Sequence, residues 1–364
     1  MLSLTMLPAR QGDALWLRWG DPKRPNKMLI DMGTEEVGEQ VRERLLALPE
    51  GDRRIELLVV THVDRDHIGG VLTCLADAEP IPGLVLGDVW FNGFPHLDGK
   101  SVRSTLEPMG PAQGERLAAW LTQQPWNRAF DGAPVQRAPG QALPSIELAG
   151  GLRLVVLTPT PERLRALKPV WQAEVAEALR KGTLTTVSPG LEPMGPKTPP
   201  VLEDSGDLAA LANKPTARDT SQTNGSSIAL LLTYRGRSLL LAGDAFADDL
   251  IAGIQAMGAD HPLALDAFKL PHHGSQSNVT TALVEAVDCD LWLVSTDGTQ
   301  FRHPDPPTLA RVIRSSQRRP PKLVFNVPST YNGWWDNDGW RGRYDYLTQL
   351  GTEDEGVTLT WSGD

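Results

Sequence analysis

The sequence predicts a layered α/β fold, and three observations carry that expectation. Short apolar, β-branched runs recur along the chain and alternate with stretches whose apolar residues return at helical spacing. Clusters of His and Asp stand directly behind several of these runs, where buried strands would emerge into turns. A length of 364 residues with 40% hydrophobic and 22% charged content supports a large core, as one elaborated domain or two.

Residues 2–7 and 14–19 read as strands separated by Gln11-Gly12-Asp13, a turn that uses glycine's access to positive φ. A third strand, 27–31, ends in Asp31-Met32-Gly33. Residues 35–48 place Val37, Val41, Leu45 and Leu46 on one helical face. The strand 55–60 then leads into a ligand-rich turn, a helix over 68–78 and a strand over 84–91. The middle is less regular: 103–121 is expected to be largely helical, 152–157 a strand and 162–180 a helix. Residues 182–224 are rich in Pro, Gly, Ser and Thr and poor in large apolar groups, which reads as a loop-rich insert that the core can lose.

Strands at 227–234 and 238–242, joined by Arg235-Gly236-Arg237, open a second α/β half. Helix 247–257, strand 264–270, helix 279–286, strand 291–295, helix 308–316 and strand 323–326 complete it. The tail holds Trp334, Trp335, Trp340, Tyr344 and Tyr346, expected to pack over a sheet edge. The domain expectation is a single unit over 1–364, with an elaboration over 96–222 and a Trp-rich C-terminal segment over 329–364.

The net charge of −10 argues against loose binding to bulk nucleic acid, because phosphate contacts need clustered Lys and Arg. A local basic cleft is still open, with Arg235, Arg237, Lys269 and Arg302 as its candidate cations. No apolar run approaches the length of a membrane span and the N-terminus lacks a basic-then-apolar leader, so the expectation is a cytoplasmic protein with no membrane partner. Cys74 and Cys289 stand in no metal-binding or disulfide-framework spacing and read as structural thiols. No residue pattern indicates a protein partner or an oligomer.

The chemistry concentrates in Thr61-His62-Val63-Asp64-Arg65-Asp66-His67-Ile68-Gly69-Gly70, which packs two imidazoles and two carboxylates into six residues behind Leu57-Leu58-Val59-Val60. Nitrogen and carboxylate donors converging at one strand end are what a divalent-metal site requires. Asp31, Gly243-Asp244 and Pro271-His272-His273-Gly274-Ser275 follow apolar strands in the same way, and His303 follows 291–295 after a short loop. Loops at one edge of a layered sheet converge, so these five clusters predict one polynuclear centre. His261 and His96 read as satisfied core histidines.

Taken in order, Asp31, His62-x-Asp64-x-Asp66-His67, Gly243-Asp244, His272-His273-Gly274-Ser275 and His303-Pro304 give a sequence that resembles the metallo-β-lactamase fold superfamily. Through Gln11-Gly12-Asp13, Asn224-Gly225-Ser226-Ser227 and His272-His273-Gly274-Ser275 it is most similar to the branch typified by the metallo-β-lactamase-like domain of bacterial competence DNA-uptake (ComEC-type) proteins. The resemblance spans residues 1 to about 90 and about 222 to 328. It implies a four-layer αββα sandwich with a long central insert and two divalent metal ions, Zn or Mn.

The metal positions implied by the resemblance are His62, Asp64, Asp66, His67, Asp244 and His303, with Asp244 bridging. Asp64 stands where many members place a second His. The separate His that many members carry between the first cluster and the bridging Asp has no evident counterpart, and His272 or His273 is expected to substitute. Asp31 is expected behind the ligands, orienting the His62 loop by hydrogen bonds. The implied chemistry is hydrolysis by a metal-activated water, with Asp64 or Asp66 taking a proton and His272 or His273 giving one to the leaving oxygen. A phosphodiester in a nucleic acid or nucleotide is the expected substrate. Two alternatives stand beside it. One is an amide, lactone or thioester hydrolase whose apolar substrate the tail aromatics would wall. The other is a catalytically degraded binding module, signalled by the departures at Asp64 and at the missing His.

Overall fold

The computed structural model of the protein describes residues 1–102, 113–181, 194–258 and 262–362. The first part of the helix expected over 103–121, the first part of the insert expected over 182–224, and His261 lie outside the described residues. In chain order the strands are β1 (Leu2–Met6), β2 (Leu15–Asp21), β3 (Arg24–Ile30), β4 (Arg54–Val59), β5 (Val85–Trp90), β6 (Ser145–Leu148) and β7 (Leu152–Thr158). There follow β8 (Ala229–Tyr234), β9 (Arg237–Leu241), β10 (Leu263–Lys269), β11 (Val287–Val294), β12 (Lys322–Phe325), β13 (Leu347–Leu350) and β14 (Val357–Trp361). Among the described residues they form two sheets, of order β14-β1-β2-β3-β4-β5 and β13-β12-β11-β10-β9-β8-β7-β6.

The sheets pack face to face. Leu4, Leu17, Met28, Leu57 and Val59 of the first meet Leu230, Leu232, Leu239, Leu241, Ala267 and Leu293 of the second. Alternate residues point the other way. On the outer face of the first sheet, Leu58 and Val60 join Val41, Leu45, Ile68, Leu117 and Leu164 from helices α1 (Glu35–Ala47), α2 (Arg65–Val71), α3 (Gln113–Leu121) and α4 (Pro161–Lys181). On the outer face of the second, Phe268, Leu270, Trp292 and Val294 pack with helices α5 (Ser205–Ala212), α7 (Ala247–Ala256), α8 (Thr281–Glu285) and α9 (Pro306–Ser315), while the short α6 (Gln222–Gly225) leads into β8. This is the αββα sandwich. Burial on both faces at their C-terminal ends explains why residues 57–59 of β4 and 292–294 of β11 are continuous apolar runs, whereas the N-terminal halves of these strands alternate with charged residues.

Strands β3, β4 and β5 run parallel in one sheet, and β9 to β13 run parallel in the other. Their C-terminal ends therefore deliver Asp31, His62, Asp244, His272 and Ser295 to one rim of the sandwich.

The structure departs from sequence expectation in three places. The helix expected over 68–78 starts at Arg65, stops at Val71 and continues as a π turn, Leu72–Ala76. The described part of the expected loop-rich insert contains α5, and Leu202, Leu208 and Ala212 are buried in the outer core of the second sheet. Asp204 caps α5 by accepting from the Gly206 and Asp207 N–H groups, a local stop-and-start signal hidden among turn-forming residues. The tail is structural: β13 and β14 form the end strands of the two sheets, Trp335 is fully buried, and Trp334 and Trp340 pack against the same core. No helix among the described residues is long and apolar enough to cross a membrane. Both cysteines are buried and unpaired with each other, and burial pushes the Cys74 thiol up to about 12, which keeps it an inert packing group.

Candidate metal centre

Asp244 is the focus of the site. It follows β9 behind Gly243, whose φ of +52° turns the chain inward. Its Oδ2 lies 3.4 Å from His67 Nε2, 3.5 Å from His273 Nε2, and 3.8 Å from both His62 Nε2 and His272 Nε2. Four imidazoles from two chain segments thus present the same ring nitrogen to one carboxylate. Asp66 joins from the side, with Oδ2 at 3.4 Å from His273 Nε2 and 3.9 Å from His67 Nε2. Asp64 Oδ2 lies 3.5 Å from His62 Nε2.

The ring orientations are set from behind. His67 Nδ1–H donates to Asp31 Oδ2 at 2.7 Å. Asp31 also accepts from the Thr61 N–H and the Thr61 hydroxyl, both at 2.7 Å. With its proton committed there, Thr61 Oγ1 accepts from His62 Nδ1 at 3.0 Å. His273 Nδ1 donates to the Ser295 carbonyl at 3.0 Å, and His272 Nδ1 donates to Asn278 Oδ1 at 3.0 Å. All four rings therefore carry the proton on Nδ1 and turn the Nε2 lone pair toward Asp244, an assignment made from the hydrogen-bond network. Asp31, His272 and His273 hold φ values of 54°, 49° and 53°, a left-handed backbone that non-glycine residues adopt at a cost of about 1–3 kcal/mol each. Such strain is kept where it places a functional group.

Five of the donor atoms, His62 Nε2, His67 Nε2, His273 Nε2, Asp64 Oδ1 and Asp244 Oδ1, are buried without a hydrogen-bond partner. Leaving that many polar atoms unmatched in one place would cost several kcal/mol, about 1–3 for each. Divalent cations bound among them would satisfy these atoms, and imidazole with carboxylate is a donor set suited to Zn²⁺ or Mn²⁺. Groups of donors within 4.8 Å of one another are His62/His67/Asp244, Asp66/His67/His273 and Asp13/Asp244/His273, with Asp13/Asp31/His67 behind them.

The electrostatics point the same way. Burial alone would raise the Asp244 carboxyl, but His273, His67 and His272 hold it well below its ordinary value. Burial would lower His273, yet Asp244, Asp13 and Asp66 push it up to about 10. His67 is likewise raised by Asp244, Asp31 and Asp66 against the effect of burial. The cluster is a field that favours positive charge.

The sequence-predicted residues therefore meet, with distinctions among them. His273, rather than His272, falls within the donor groups, together with Asp66 and His67. Two further predicted ligands also fall outside these groups: Asp64, whose Oδ2 accepts from Thr223, and His303, which stands one layer out with Nδ1 3.4 Å from Asp305 and its ring 5.7 Å from His272. His96 accepts from the Gly93 N–H, donates to the Gly132 carbonyl and packs edge-on against Trp126, as expected of a core histidine.

Of the cations considered for phosphate, Lys269 is fully buried against Asp13, Arg237 pairs with Asp266, Arg302 donates to the Gly195 carbonyl, and Arg235 lies over Tyr234. None of them lines the cavity. Sequence reasoning also missed Thr61, Asp219, Thr223, Asn224 and Asn278. Thr223 donates to Asp64 Oδ2 at 2.9 Å, while Asn224 and Asn278 both donate to Asp219, which lies 3.5 Å from His272 Nδ1. The sequence signals for this group were the Asn224-Gly225-Ser226-Ser227 motif and the place of Thr61 at the head of the His/Asp stretch, neither of which gave these residues a role.

A cavity of about 110 Å³ opens on the centre, lined by Asp64, Asp66, Asp244, His272 and His273 below and by Gln11, Thr34, Arg65, Gln300 and Phe301 at the rim. Arg65 is held there by Glu35, whose two oxygens lie 3.0 and 2.9 Å from its Nε.

The chain belongs to the metallo-beta-lactamase superfamily, whose sequence profile matches residues 26–298. No curated protein sequence matches it significantly. Among solved structures it is similar to Zn(2+)-bound PqqB from Methylobacterium extorquens, at 15% identity over 97% of this chain and 90% of that one, with a TM-score of 0.34. It is also similar to a CmlA beta-hydroxylase variant (11% identity, 99% of this chain, 53% of that chain, TM-score 0.39). A HARLDQ-motif metallo-beta-lactamase from Cronobacter sakazakii is a third (14%, 73% and 76%, TM-score 0.29). Likenesses at this level extend to no activity.

Proposed function

We propose that this protein is a metal-dependent hydrolase of phosphodiester bonds, acting on a nucleotide or nucleic acid through two divalent cations. The observation that carries the hydrolase reading is the convergence of four Nε2 atoms on Asp244, with five buried donor atoms left unmatched by the protein. Asp66, His67 and His273 would hold one cation, His62 and Asp64 the other, and Asp244 would serve both. Cations held there supply Lewis acidity toward a phosphoryl oxygen and acidify water.

The remaining work falls to the chain. Asp66, with its side chain 26% exposed, opens onto the cavity and accepts the proton of the attacking water. His272 lines the same cavity with its Nδ1 proton held by Asn278 beside Asp219; a second proton taken up at Nε2 from solvent makes it the imidazolium that gives that proton to the leaving oxygen. Arg65 offers its remaining N–H donors to a phosphate oxygen at the rim. The phosphodiester preference is supported by this rim cation, by the carboxylate at Asp64 and by the motif resemblance to the competence DNA-uptake branch.

The test is a substrate panel on zinc- and manganese-loaded protein: bis(p-nitrophenyl) phosphate and a cyclic nucleotide against nitrocefin, a lactone and a thioester. Turnover of the phosphodiesters that is abolished in Arg65→Ala/Asp66→Ala supports the reading. Turnover of an ester or β-lactam alone overturns it.

A further inference from the structure

We propose that the buried Asp13–Lys269 ion pair is a positioning device for the metal centre. In this proposal Asp13 steers the His273 ring toward the donor cluster, and Lys269 holds Asp13 in place and keeps it from acting as a ligand itself. The inference rests on the function proposed above and adds two residues that its steps do not use.

Lys269 ends β10, three residues before His272, and is fully buried. Its ammonium meets Asp13 Oδ2, and Asp13 is itself only 1% exposed. The other Asp13 oxygen lies 3.6 Å from His273 Nδ1, on the side of the ring that also donates to Ser295. A buried ion pair is weak evidence for stability, because desolvating both charges offsets most of their attraction. Its placement argues for another role. Asp13 donor atoms come within 4.8 Å of Asp31 and His67 on one side and of Asp244 and His273 on the other, so an uncommitted Asp13 would compete for a cation.

The turn that presents Asp13 is pinned to the ends of β3, β10 and β11 and lies against the loop after β4. The Gly33 N–H, two residues past Asp31, donates to the Asp13 carbonyl at 2.8 Å. Ser295 Oγ donates to the Gly12 carbonyl at 2.9 Å, which links the turn to the acceptor of His273. Gly12, at φ +80°, passes so close to Asp66 that a Cβ on it would fall 1.5 Å from the Asp66 carbonyl oxygen. Residues 11–13 therefore brace the loops of Asp31, Asp66 and His273 together, and Asp13–Lys269 is the charged element of that brace.

The experiment compares wild type, Asp13→Asn, Lys269→Met and the double variant, using Zn²⁺ affinity by chelator competition on folded protein and stability by urea unfolding. Lys269→Met is expected to be the least stable, because it leaves a buried carboxylate unpaired, and the double variant is expected to recover stability. The double variant and Asp13→Asn are expected to bind Zn²⁺ about 10–100-fold more weakly than wild type. Unchanged Zn²⁺ affinity in Asp13→Asn or in the double variant would overturn the proposal and leave the pair a packing feature. Absence of Zn²⁺ binding by wild type would overturn the proposed function itself, so the two failures are distinguishable.

Discussion

His272 and His273 are adjacent in sequence and opposite in role on this account. His273 falls within the donor groups, whereas His272 is braced by Asn278 and Asp219 and faces the cavity. His273→Ala should lose bound metal and activity together, while His272→Ala should keep metal and lose turnover by about 10²–10⁴-fold, the size of a general-acid contribution. Metal analysis beside steady-state kinetics checks this, and equal metal loss in both variants would make His272 a ligand. His96 makes a different prediction. Burial, opposed by its bonds to backbone, lowers it to about 4, below its ordinary 6.5. The unfolded chain then binds more protons between those values, so His96 contributes stability that is present above pH 6.5 and lost as pH falls toward 4. Between pH 7 and pH 5 the wild type should lose about 2 kcal/mol more than His96→Gln, measured by urea unfolding of both proteins at both pH values. At this scale the donors themselves were legible, because two His and two Asp within six residues have no packing explanation. Asp13, Asp219 and Asn278 were not, because their partners are reached only when segments far apart in the chain meet.

Elements with a strong pattern were equally legible. The apolar C-terminal halves of β4 and β11 and the apolar face of α1 were enough to place these elements, although β11 begins at Val287, ahead of the expected 291, where Asp288 and Asp290 interrupt the apolar run. α5 was missed because it is short and lies between Pro- and Gly-rich flanks, yet it seals the second sheet beside α9. Leu208→Ala should cost about 2–4 kcal/mol by urea unfolding, as expected for a large-to-small change at a buried site. Deleting residues 194–224 should abolish folding rather than be tolerated, because it removes α5 together with the Thr223 and Asn224 contacts to Asp64 and Asp219. A cooperative unfolding transition retained by the deletion would contradict that.

Across the whole molecule, the two sheets are completed by the end of the chain. β14 pairs antiparallel with β1, from Leu2↔Trp361 to Met6↔Val357, and β13 runs beside β12. A sequence reading finds little there because strands of four and five residues among turn formers carry weak periodicity. Truncation after residue 351 should expose the β1 edge and drive aggregation, seen as loss of the monodisperse peak in size-exclusion chromatography. An unchanged profile would show that β14 is dispensable. The layered architecture itself was legible, since it follows from strands that alternate with helices and end in chemistry. The central claim is that this architecture brings Asp244 and the imidazoles of His62, His67 and His273 around divalent cations, with His272 facing the cavity beside them. Elemental mass spectrometry of purified wild type and Asp244→Ala tests it most directly. The account predicts about two equivalents of Zn or Mn in wild type and loss of that metal in a folded Asp244→Ala. No stoichiometric metal in wild type after reconstitution, or full retention in the variant, would contradict it.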